Sequence, residues 1–110
     1  MDAVTALSGS GPAYFFLVME ILEQTGAELG LDPDSARLLT IQTALGAARM
    51  AMESSDPPQT LRARVTSPGG TTESALRTLE EGRFRDLLAQ AVRAAKARSE
   101  ELSRLLAEKS

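Results

Sequence analysis

From Pro12 to Leu22 the chain is apolar at every position except Glu20, counting Tyr14 with the apolar residues. Pro12 is suited to opening a helix, because its missing N–H would be unpaired in the first turn anyway. The helix it starts is predicted to run to about Glu28 and to stop at Gly30. A helix that is apolar on every side has to be buried on every side. A chain of 110 residues buries only roughly two-thirds of the surface it exposes when unfolded. Such a helix therefore has to sit at the centre of the fold or lie against a partner chain.

The remaining pattern is helical almost throughout, and nothing alternates as a strand would. Asp32-Pro33 supplies a capping side chain followed by proline in the first turn, which predicts a second long helix over about Pro33 to Ser54. Its small residues, Ala36, Ala44, Gly46, Ala47, Ala48 and Ala51, would let neighbouring helices approach closely, so it too reads as an interior element. Asp56-Pro57-Pro58-Gln59 repeats the cap-plus-proline pattern and predicts a short helix ending near Arg64. After a loop, Thr71 or Thr72 is expected to cap another short helix ending at Gly82. The last helix, about Arg83 to Ala107, places Phe84, Leu88, Ala91, Ala95, Leu102 and Leu106 on one stripe, interrupted at Arg98 and Ser99. The expected fold is all-α, a single bundle of five or six helices.

Composition narrows the chemistry. A net charge of −3, with acids interrupting the basic residues between Arg77 and Arg104, gives no surface for nucleic-acid phosphates. With no Cys and no His there are no disulfides, thiolate nucleophiles, Cys/His zinc sites or Ser-His-Asp triads, and no metal site is expected. The absence of Cys fits a reducing cytoplasm. The longest strongly apolar run, Ala13 to Met19, falls well short of the ~20 residues that span a bilayer, so the expectation is a soluble protein with no membrane partner and no signal segment.

Two glycine-rich segments break the helical pattern. Ser8-Gly9-Ser10-Gly11-Pro12-Ala13-Tyr14 superficially resembles a dinucleotide fingerprint, but the third glycine position holds Tyr14 and no strand precedes it. The plainer reading is a helix-to-helix turn, with Tyr14 a core residue whose hydroxyl lies at an edge. Glu20 reads as a surface residue or as the partner of an Arg such as Arg49. The second segment is Val65-Thr66-Ser67-Pro68-Gly69-Gly70-Thr71-Thr72-Glu73. Glycines before a helix start can aim successive N–H groups into one concavity, and the positive end of the helix dipole adds to it. With Ser67, Thr71 and Thr72 nearby, it could receive a small anion, most naturally a carboxylate; the alternative is an ordinary capped helix start.

Read together, Asp2-Ala3-Val4-Thr5-Ala6-Leu7-Ser8-Gly9-Ser10-Gly11-Pro12-Ala13-Tyr14, Val65 to Thr72, and Leu79-Glu80-Glu81-Gly82-Arg83-Phe84-Arg85 resemble the pyrroline-5-carboxylate reductase family over about residues 2 to 100. The resemblance implies an enzyme that reduces 1-pyrroline-5-carboxylate to L-proline with NADPH or NADH, the last step of proline biosynthesis. It implies a nucleotide-binding N-terminal Rossmann domain, absent from this chain. The chain itself, residues 1–110, resembles the family's helical C-terminal dimerisation and substrate-binding domain, of the kind also seen in 6-phosphogluconate dehydrogenase. Two such domains interlock as a homodimer that often assembles further. By the same resemblance Ser67 would offer a hydroxyl, and Gly69, Gly70 and Thr71 backbone N–H groups, to the substrate carboxylate. Thr72 would place its hydroxyl near the ring nitrogen, which must be protonated or hydrogen-bonded as hydride reaches the imine carbon. Positioning is expected to dominate over proton transfer from a titrating side chain. Without the nucleotide-binding half, the chain alone is expected to bind no NADPH or NADH and to be inactive.

Two other readings compete. A standalone helical oligomerisation module would keep the bundle and leave the Gly-Gly loop as a connection. The helical domain of a different two-domain dehydrogenase would share the architecture, but the order and spacing of the paired motifs are not generic to such domains.

Overall fold

In the computed structural model, which describes residues 1–109, every regular element is helical. The elements are α1 (Asp2–Val4), a π-helical turn (Thr5–Gly9), α2 (Gly11–Glu28), α3 (Pro33–Glu53), α4 (Pro58–Arg64), α5 (Thr71–Glu81) and α6 (Phe84–Lys109). The expected all-α class and the positions of the five main helices hold. By its contacts the chain divides into two compact units, Met1–Phe15 with Leu76–Ser110, and Phe16–Ala75.

Local chemistry explains most of the boundaries. The end of α2 is a Schellman motif: Gly30, at φ +106°, donates its N–H to the Ala27 carbonyl at 3.1 Å, and the Leu31 N–H reaches the Gly26 carbonyl at 3.0 Å. Asp32 then caps α3, its Oδ2 accepting from the Ser35 N–H at 3.3 Å, with Pro33 in the first turn. Two expected caps are not found. Before α4 the cap position is Pro57 and no side chain caps; Asp56 is instead held by an ion pair to Arg64 at the far end of the same helix. Thr71 is the first residue of α5 rather than its cap.

The Ser8–Pro12 segment differs most from expectation. The chain does not turn there but continues helically, with the Ser10 N–H donating to the Thr5 carbonyl at 2.8 Å, five residues back. The Tyr14 hydroxyl reaches back across this segment, donating to the Ala6 carbonyl at 2.7 Å. Ala6 is only 1% exposed. The N-terminal residues and α6 pack together, and the Ser99 hydroxyl donates to Asp2 Oδ1 at 2.7 Å. Ser99, read from sequence as a flaw in the apolar stripe of α6, is thus the anchor for the start of the chain.

In the other unit Ala36 and Thr40 of α3 are buried, at 2% and 7% exposure. Large apolar side chains are nonetheless open along α2 and α3, with Phe15 at 67% and Phe16 at 65%, and Leu38, Leu39, Ile41 and Leu45 also exposed. Glu20 is likewise on the surface, accepting from Gln24 Nε2 at 3.4 Å. Because helix continues through Ser8–Pro12, the stretch Asp2–Glu28 is 27 residues long and, by length and composition alone, apolar enough to cross a membrane. The large apolar side chains Phe15 and Phe16 of this helix are left uncovered by the chain itself.

Candidate functional site

The segment singled out in the sequence lies in the unit Phe16–Ala75 and joins α4 to α5. At its start the Thr66 hydroxyl donates to the Arg62 carbonyl at 2.6 Å, ending α4 with a side-chain bond. Ser67-Pro68-Gly69-Gly70 then forms a β-turn closed by the Gly70 N–H on the Ser67 carbonyl at 3.0 Å. Pro68 in the second position and Gly69 at φ +72° in the third are the type II arrangement, which demands a residue free of left-handed strain at that third position. Gly70 is crowded in a different way, since a Cβ there would lie 3.2 Å from the Ser67 carbonyl oxygen. The sequence Pro-Gly-Gly is thus what lets the chain fold back onto the first turn of α5.

All five residues assigned to the site, Ser67, Gly69, Gly70, Thr71 and Thr72, fall within this turn and the helix start it leads into. Ser67 and Thr71 are exposed and Thr72 is half-buried. The N–H groups of Thr71 and Thr72 belong to the first turn of an α-helix and have no intrahelical acceptor. The two glycine N–H groups are engaged within the chain. That of Gly70 closes the turn, and that of Gly69 donates to Glu73 Oε1 at 3.3 Å. Sequence reasoning missed Glu73; the signal available was an acid at the third position of a helix that follows a turn, the acidic half of a capping box.

Among the described residues no cluster of acids could hold a metal ion. Nor does the Ser8–Tyr14 segment form a dinucleotide-binding turn. Gly9 lies in the π-helical turn, Gly11 is buried inside the start of α2, and no strand leads into either. A separate groove of about 250 Å³ between α3 and α4 is lined by Ala47, Met50, Ala51, Leu61 and Val65, with Arg62 at its rim. It offers apolar contact and no reactive group.

Known proteins share this arrangement. The family described as pyrroline-5-carboxylate reductase dimerisation matches residues 1–102. A pyrroline-5-carboxylate reductase of Pseudomonas aeruginosa is 54% identical over 106 residues, covering 96% of this chain and 39% of that protein. Pyrroline-5-carboxylate reductase 1 of Bacillus spizizenii is 46% identical over 103 residues, covering 94% of this chain and 35% of its own length. Among solved structures, a pyrroline-5-carboxylate reductase from Coxiella burnetii superposes with a TM-score of 0.89 at 53% identity, over 92% of this chain and 37% of that one. The Plasmodium falciparum pyrroline carboxylate reductase, solved with NADP bound, also gives 0.89, at 39% identity over 92% of this chain and 41% of its own. The chain thus spans rather more than a third of the length of the relatives it matches. With the helices, the turn and the match over residues 1–102 in agreement, this chain belongs to the pyrroline-5-carboxylate reductase dimerisation family.

Proposed function

We propose that the chain is the dimerisation and substrate-binding part of a cytoplasmic pyrroline-5-carboxylate reductase, which reduces 1-pyrroline-5-carboxylate to L-proline with NADPH or NADH. The observation that carries this reading is the family match over residues 1–102, on a chain whose apolar helices lack cover of their own. The same exposed apolar surface is read as the face of a homodimer rather than a membrane contact. The nucleotide would be held outside the described residues, in a Rossmann domain that precedes this one in the full-length enzyme, and it supplies the reducing equivalents. This chain's share is to hold and orient the substrate. Its carboxylate would lie at the positive N-terminal end of α5 against the N–H groups of that turn and the Ser67 hydroxyl. Thr72, half-buried in the first turn, would set its hydroxyl against the ring nitrogen and steady the charge there.

The test is Thr72→Ala in the full-length reductase. We expect kcat to fall by about tenfold to a hundredfold, the effect of losing one group that acts mainly in the transition state, with the dimer intact by sedimentation. Unchanged kinetics would remove Thr72 from the site. A standalone oligomerisation module would account for the apolar surface but leaves the matched Ser67–Thr72 turn without a role.

A further inference from the structure

In a capping box the acid at the third helical position usually turns back to the N–H of the residue before the helix. In α5 that N–H belongs to Gly70 and is already committed to the Ser67 carbonyl. The Glu73 carboxylate therefore reaches one residue further, to the Gly69 N–H. Gly69 is held at φ +72° by the turn, which fixes where its N–H points, and the acceptor it meets is a carboxylate. The contact is 3.3 Å long, loose beside the usual 2.9–3.0 Å, and it lies at an exposed helix start, where exchange is easy. The substrate reading of the same turn asks that N–H to donate to a different carboxylate.

We propose that Glu73 is a resident competitor at this turn, occupying the Gly69 N–H until the carboxylate of the bound imino acid replaces it. This rests on the substrate site proposed above and adds a residue that sets its affinity. Glu73 does two opposing things. It keeps the Pro68–Gly69 turn in its receptive form while the site is empty, and its negative charge opposes the anion that displaces it. Glutamine has the same length and still offers an oxygen to Gly69, but it is neutral. A charge-assisted bond is about twice as strong as a neutral one, so Gln releases the N–H more readily and repels nothing. Glu73 is thus a positioning residue whose charge tunes how tightly the turn holds its ligand.

The experiment is L-proline binding to the full-length reductase by calorimetry, in wild type, Glu73→Gln and Ser67→Ala, with L-prolinamide as the ligand that lacks the carboxylate. We expect Glu73→Gln to tighten L-proline about fivefold, the equivalent of removing one unit-charge repulsion across about 4 Å of water, and to leave L-prolinamide unchanged. Ser67→Ala should weaken L-proline. If Ser67→Ala weakens L-proline while Glu73→Gln leaves it unchanged or weaker, the competitor role is overturned and the substrate site stands. If Ser67→Ala has no effect, the site and the competitor role fall together. Glu73→Asp supplies a second variant should Gln not fold. It keeps the charge but draws it one methylene back from Gly69, and tighter L-proline binding by a smaller factor is expected.

Discussion

Arg83 adopts φ +60° between α5 and α6, a left-handed conformation that costs a side-chain-bearing residue roughly 1–2 kcal/mol. Its guanidinium gains little in exchange, since its 3.4 Å pairing with Asp86 is between exposed groups, and such pairs contribute about 0–1 kcal/mol. Arg83→Gly should therefore stabilise the protein by about 0.5 kcal/mol, after allowing for the freer unfolded chain. Thermal unfolding should show the midpoint rising by a few degrees, and a fall would mean the side chain has a partner outside this chain. Tyr14→Phe should act the other way. It strips the donor from the Ala6 carbonyl and should cost about 1 kcal/mol, read as a lower urea midpoint. Residues 82 and 83 also mark a limit of sequence reading. Glycine was the natural stop for α5, yet the left-handed backbone falls on the arginine after it, because the Gly82 N–H still closes a helical bond to Thr78 and the chain reverses only afterwards.

Caps show why some element boundaries were legible and others were not. Asp32-Pro33 works as read because every partner lies within three residues, so the pattern carries its own geometry. Removing that cap with Asp32→Ala should destabilise the fold by about 1 kcal/mol, and loss of α3 protection in hydrogen exchange would locate the effect. Asp56-Pro57-Pro58 has the same pattern with one proline more, which moves the helix start away from Asp56 and leaves its carboxylate to Arg64. The turn was legible to a similar degree. Ser-Pro-Gly-Gly before a helix specifies a tight turn, and the structure forms it, closed by the Gly70 N–H on the Ser67 carbonyl. The part that escaped notice, Glu73 on the Gly69 N–H, depends on which N–H the turn leaves unclaimed, and that is known only once the turn is built. The helical stretch through Ser8–Pro12 escaped for a related reason. Glycine and proline advertise a break, but Tyr14 and the Thr5 carbonyl provide the bonds that carry the helix across.

The whole chain exposes 8835 Å², whereas a self-contained monomer of 11.7 kDa exposes about 5,900 Å². If the apolar faces of α2 and α3 are closed by a second copy, folding and association are one event. The melting midpoint should then rise with protein concentration, and sedimentation should show a dimer at micromolar concentration. A concentration-independent midpoint with a monomeric species would contradict this. The π-helical turn at Thr5–Gly9 bears on the same question of fit. Each residue of an α-helix advances the chain by about 100° around its axis. A chain one residue shorter in this stretch could wind as plain α-helix, and everything before it would swing round by about that angle relative to Tyr14. The Asp2 carboxylate, now bonded to Ser99, would then face elsewhere. An insertion or deletion here acts as a change of phase rather than a change of loop length, setting which side chains the first residues turn toward α6.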